Sequence, residues 1–132
     1  MAIQLSVSAR NARLDSIETA TGATAKLQIR SGAPPADCAA ASSGTLLIEI
    51  VLPSDWMAAA ATGSKSKLGT WSGAASASGT AGHFRIFDNA GTTCHLQGTV
   101  GTSGADMIVD NTNINSGQTV TVNTFTLTDA NA

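Results

Sequence analysis

The sequence has no tyrosine, only two histidines and two cysteines, and a charged fraction of 12%, about half the roughly 25% usual in soluble domains. Each shortage excludes a class of function. Seven basic residues against nine acidic ones leave a formal net charge of −2, without the dense positive surface that nucleic acid demands, so no DNA or RNA partner is expected. No run reaches the roughly 18 consecutive apolar residues of a membrane helix. The opening MAIQLSVSARNARLD has no basic leader followed by an apolar core, so neither membrane insertion nor signal-peptide export is expected. Cys38 and Cys94 are too few for a disulfide scaffold and lack Cys-x-x-Cys spacing; they are either two buried thiols or one bridge.

What is present is β-forming. At 132 residues the chain is expected to form a single domain over 1–132. Val7, Leu14 and Ile17, with Ile3 before them and Arg10 interrupting the stripe, recur at helical spacing, with Ser6 or Ser8 suited to the start and Gly22 to the end. This predicts one N-terminal helix over about 6–21. From about 25 to 128 the period changes to two. Leu27 and Ile29 alternate with Lys26, Gln28 and Arg30, which reads as a half-exposed strand. GAPPADCAAASSG reads as loop, because its prolines remove backbone donors. TLLIEIVL, residues 45–52, reads as a strand covered on both faces. SDWMAAAA is expected to start a short helix at Ser54, and 62–82 to be mostly loop with one short strand near Leu68 to Trp71.

HFRIF and TCHLQGTV read as a hairpin, with Ile86 opposite Cys94, Phe84 opposite Leu96, Arg85 opposite His95 and His83 opposite Gln97. DMIVD and QTVTVNTFTLT complete the sheet. In the last of these the inward parity changes between Val122 and Phe125, which predicts a bulge near Asn123 or Thr124. The fold class is therefore mainly β, an antiparallel sandwich or small barrel with one N-terminal helix.

No set of side chains meets the spacing that chemistry requires. Cys94 and His95 are adjacent in a strand, point to opposite faces, and do not share a metal ion. Arg85 and His95 read as a solvated polar face. No serine lies in a Gly-x-Ser-x-Gly elbow. GSKS at 63–66 lacks the first glycine of a phosphate loop, since Ala58 stands in its place. Asp106 and Asp110 read as solvated strand ends, and the cluster from Asp110 to Asn115 has no EF-hand spacing. No catalytic residue, metal or cofactor is expected. Trp56 and Trp71 read as core or loop anchors, and as interface residues if exposed.

The strings MAIQLSVSARNARLDSIETATGATAKLQIRSG, PADCAA, LPSDWMAAA, GTAGHFRIFDNAGTTCHLQGTVGTSGADMIVDN and SGQTVTVNTFTLT together give a sequence that resembles small structural proteins of tailed bacteriophages and prophages. The likeness spans nearly the whole chain. It implies a virion location after synthesis in the host cytoplasm and no enzymatic activity. The favoured role is capsid decoration, cementing the head, with the major capsid protein or other virion proteins as partners. The alternative is a tail or fibre component, an adhesin with glycan binding. A homo-oligomer is expected, a trimer among the forms considered. Its candidate interface is Ile3, Leu5, Val7, Leu14 and Ile17, together with Trp56 and Trp71. The N-terminal helix either docks and trimerises or covers its own sheet.

Overall fold

The computed structural model describes residues 3–129. Among the described residues a single helix, α1 (Val7–Thr21), precedes nine strands: β1 (Lys26–Ser31), β2 (Leu46–Val51), β3 (Ser64–Ser66), β4 (Ser72–Ala74), β5 (Gly79–Phe87), β6 (Cys94–Gly101), β7 (Met107–Val109), β8 (Asn113–Ile114) and β9 (Thr119–Thr128). The main path runs β2-β1-β5-β6-β7-β9-β3, with β4 on β9 and β8 on β5. This is the expected mainly β class, a sheet curled into a half-barrel with one N-terminal helix. One pairing departs from the antiparallel expectation: β6 and β7 run parallel.

The helix ends are set by local chemistry. The Ser6 hydroxyl accepts the Ala9 N–H at 3.1 Å, and Gly22, with φ at 91°, donates its own N–H to the Glu18 carbonyl at 2.9 Å. Ile3 and Leu5 precede the helix and so lie outside its stripe. Within α1, Leu14 is buried, Ile17 is half-buried and Val7 is exposed.

The core lies on the concave face. Leu27, Ile29, Ile48, Ile50, Phe84 and Ile86 reach it from β1, β2 and β5, and Met107, Val120, Val122 and Phe125 from β7 and β9. Trp56 and Trp71 are both fully buried in it. Their ring centroids stand 6.0 Å apart, Trp71 lies 5.6 Å from Phe125, and Phe84 meets Phe125 edge-on at 5.4 Å. Each indole N–H still finds a carbonyl, Trp56 at Gly22 and Trp71 at Leu68, which removes the cost of burying a donor. The condition for a surface role of the two tryptophans is not met.

Several expectations are corrected. The segment after Ser54 is not helical: Trp56 and Met57 turn inward, and Ala58 donates its N–H to the Ser66 carbonyl, so the chain runs extended beside β3. The short strand near 68–71 is replaced by β3 and β4 on either side of it. β2 is an edge strand rather than one covered twice, with Glu49 and Val51 exposed. A register shift at Ile29/Arg30 sets Leu46 opposite Arg30, which leaves Leu47 and Ile48 both buried. The bulge in β9 falls where parity placed it, since Ile108 pairs with Thr124 and Val109 with Val122, skipping Asn123.

The β5–β6 hairpin forms with its register displaced. Ile86 faces Leu96, Arg85 faces Gln97, Phe84 faces Gly98 and His83 faces Thr99, and a shift after Ile86 sets Phe87 opposite Cys94. His95 is the skipped residue. Matching apolar faces fixes register only to within two residues, because a slip of two keeps every side chain on its own side. The bulge then carries Cys94 to the Arg85 face, away from the core that strict alternation assigned it.

Candidate functional site

Three features outside the apolar core concentrate this chain's chemistry. The first is the convex face of β1, β5 and β6. Arg85, expected on a solvated face, is 1% exposed because the loop of residues 32–45 folds over it. Its guanidinium donates to the carbonyls of Cys38 at 2.9 Å and Ala40 at 3.0 Å and to the Ser42 hydroxyl at 2.8 Å, and it lies 5.5 Å from the Phe87 ring centroid. Beside it His83, fully buried, shares a hydrogen bond between Nδ1 and the Gly32 carbonyl at 2.9 Å. Gln97 donates to the Pro35 carbonyl at 2.7 Å. The loop is thus held by side chains that reach up from the sheet to satisfy its backbone oxygens.

A covalent tie reinforces this clamp. Cys38 and Cys94 form a disulfide with a Cα separation of 5.2 Å, which decides between the two alternatives left open by the sequence. The loop also needs a close approach at its start. A side chain on Gly82 would strike the backbone of Gly32, so the loop crosses β5 where that strand has none. Arg30, next to Arg85, has its pKa lowered by burial first and by the Arg85 charge second, with Glu49 opposing.

The second feature is a polar seam under α1. Asn11, Asp15 and Glu18 share one helical face. Asn11 accepts the Gly63 N–H at 2.9 Å, Asp15 the Ala60 N–H at 3.0 Å and Glu18 the Met57 N–H at 2.7 Å. Lys65, 2% exposed, sends its ammonium to Asp15 at 2.7 Å and to Glu18 at 3.4 Å, and donates its third hydrogen bond to the Ala58 carbonyl at 2.9 Å. All three ammonium hydrogens are engaged. Arg10 and Arg13 reach the Asp129 carbonyl and carboxylate. The helix is thus fastened largely by polar contacts, in addition to the apolar contact of Leu14.

The Lys65 hydrogen bond is the main cause of a lowered Asp15 pKa, helped by the Ala60 N–H. Burial pulls the Lys65 pKa down, but Asp15 and Glu18 outweigh it and the net direction is up. Asp15 therefore contributes stability that is present above its ordinary value of 3.8 and lost as pH falls through the depressed one. Lys65 contributes stability that is lost only as pH rises from 10.5 through its raised value. Between these limits the docking of α1 is expected to be independent of pH. Near-ultraviolet circular dichroism of Trp56, bonded to Gly22 at the helix end, reads it. Lys65→Met is expected to cost about 2 kcal/mol in urea unfolding and to shift the acid limb toward higher pH. An unchanged acid limb would show that Lys65 does not hold Asp15.

The third feature is a gap in the sheet. β7 lies between β6 and β9, pairing with β6 only at Val100 and Gly101 and with β9 from Phe125 back to Val122. Before Met107 the chain turns aside, with Gly104 at φ 65° and the Asp106 carboxylate accepting the Thr99 N–H at 2.9 Å. The first half of β6 and the end of β9 consequently face each other across the line that an earlier start of β7 would fill. Among the described residues no ladder joins them. A cleft of about 520 Å³ lies there, bounded by Phe84, Leu96, Phe125 and Leu127, with Gln97 and Asp106 beside them. Both inward and outward residues of β9 from Thr124 to Thr128 line it, as they do when a cleft looks onto the edge of a strand and not its face.

No family model, curated protein or solved structure matches the chain. Among the described residues no group of three His, Cys, Asp or Glu side chains gathers as a metal site would require, and no helix is long and apolar enough to cross a membrane. Asp106 and Asp110, expected at solvated strand ends, accept backbone N–H groups of Thr99 and Thr121. The clamp at Arg85, the cluster at Lys65 and the open lane were all missed by sequence reasoning. Only the helix partners left a signal, the polar residues Asn11, Asp15 and Glu18 at spacings of four and three.

Proposed function

We propose that the chain is a non-enzymatic structural subunit of a tailed-phage virion, placed on the capsid as a decoration or cement protein. The observation that carries this reading is the use to which the few chemically capable side chains are put. Arg85, His83 and Lys65 are buried and hold backbone groups of loops; Cys38 and Cys94 are spent in a bridge; Trp56 and Trp71 fill the core. Apart from half-buried His95, these chemically capable side chains serve the architecture. What remains outside is mostly small and neutral, suited to resting on neighbouring subunits. Contacts that are weak singly become strong when a symmetric shell repeats them. The phage part of this reading rests on the sequence resemblance given in the first subsection.

The glycan-binding adhesin reading loses the aromatic platform that Trp56 and Trp71 would have supplied. Particles assembled without the chain are the test of cementing. They are expected to form normally and to rupture under heat or osmotic shock that intact particles survive. Unchanged resistance would overturn the cement role, and an adsorption or tail-assembly defect with a stable head would move the chain to the tail.

A further inference from the structure

We infer that the loop of residues 32–45 is a redox-gated flap, closed over Arg85 while Cys38 and Cys94 are bridged and released from the sheet when they are reduced. The inference goes beyond the virion reading and stands without it, because it concerns how one chain responds to its redox surroundings.

The segment is built as a flap. Its base is pinched shut, with the Ser31 N–H donating to the Thr45 carbonyl at 3.1 Å and the Thr45 N–H to the Ser31 hydroxyl at 2.9 Å. Just inside this pinch stand Gly32 at φ 80° and Gly44 at φ 69°, so both arms leave the base through a conformation that a side chain would resist. A loop whose ends are tied together detaches locally while the strands it joins stay paired. Those strands are β1 and β2, whose ladder reaches up to Arg30 and Leu46.

No apolar anchor holds the flap down. None of residues 32–45 is buried, and none belongs to the core cluster. Above the pinch the loop is attached by hydrogen bonds from Arg30, His83, Arg85 and Gln97 and by the bridge from Cys38 to Cys94. Each of those hydrogen bonds replaces one to water and adds little net holding, while a single loop conformation costs entropy at every residue. The bridge is the one tie that water cannot replace. Both cysteines are half-buried, so the bond is open to a thiol from solvent. A dithiol reductant attacks one sulfur as thiolate, breaks the S–S bond and forms a mixed disulfide. Its second thiol then displaces that cysteine, so two electrons and two protons pass to the bridge and two cysteine thiols remain. Closing runs the same exchange backward, with a disulfide as oxidant. Reduction uncovers a cationic surface: Arg85, 1% exposed when the flap is closed, and His83 with Arg30 opposite it in the ladder. The core on the other face of the sheet contains neither cysteine, which confines the change to the flap.

Any response to a thiol reductant belongs to this pair, since the sequence holds no other cysteine. The purified full chain is compared in its bridged form and in dithiothreitol, with Cys38→Ser plus Cys94→Ser as a chain that cannot close the bridge. In the reduced chain and the double variant, amides of residues 33–44 are expected to exchange at least about tenfold faster than in the bridged chain, the change produced by losing one or two net hydrogen bonds, with β1, β5 and β9 still protected. Phenylglyoxal labelling, located by peptide mass spectrometry, is expected to reach Arg85 in the double variant and not in the bridged chain. Re-oxidation is expected to restore protection to the reduced wild type. Loop amides equally protected with and without the bridge, or an Arg85 that stays unreactive in the double variant, would overturn the inference and leave the bridge a passive staple. Loss of the near-ultraviolet circular dichroism of Trp56 and Trp71 on reduction would overturn it too, because the whole fold and not the flap would then have opened.

Discussion

Replacing Arg85 by Leu is expected to lower the unfolding free energy by about 2–4 kcal/mol and to free the loop of residues 32–45 before the rest of the molecule. The guanidinium is 1% exposed and reaches two carbonyls and a hydroxyl of that loop. A leucine fills part of the volume but donates nothing. The loop oxygens would then be left without partners against the sheet, and the cheapest way to regain water is for the loop to lift. Urea denaturation gives the loss. Hydrogen exchange separates the mechanisms: loop amides that exchange early with β5 protected support the clamp, whereas uniform loss across the sheet would mean that Arg85 acts as core.

Breaking the disulfide is expected to cost about 3–4 kcal/mol, because Cys38 and Cys94 are 56 residues apart and closing a loop of that length in the unfolded chain removes about that much conformational freedom. Cys38→Ser with Cys94→Ser, or reduction of the wild-type chain, measures it. Both ties hold the same loop, so their losses should not add. Arg85→Leu in the bridge-free chain is expected to cost clearly less than in the bridged one, since the loop has already gained freedom. Strict additivity would mean that bridge and clamp act on separate parts of the fold.

What the sequence made legible follows from period and local chemistry. The helix with Gly22 past its end, the strand of Leu27 and Ile29, and the bulge near Asn123 or Thr124 are all written in spacings of two, three or four residues, while the choice of Ser6 over Ser8 as the cap came from the structure. Register was not. The β5–β6 slip of two residues preserves every face, and the irregularity that skips His95 has no periodic signal. Two expectations failed through tertiary context. The alanines after Trp56 favour helix, yet burial of Trp56 and Met57 and pairing with β3 draw that segment out straight. Arg85 has the pattern of a surface residue, and only a loop more than forty positions earlier in the chain makes it buried. Such long-range coverage has no periodic signature, and neither does a lane left open because β7 starts late.

The central claim, that this is a structural subunit of a particle, is tested most directly by counting it there. Quantitative mass spectrometry of purified, nuclease-treated virions is expected to find the chain at a copy number set by the symmetry of the shell, far above the few copies of a tail tip or fibre. Finding it in the soluble host fraction and absent from the particles would contradict the account.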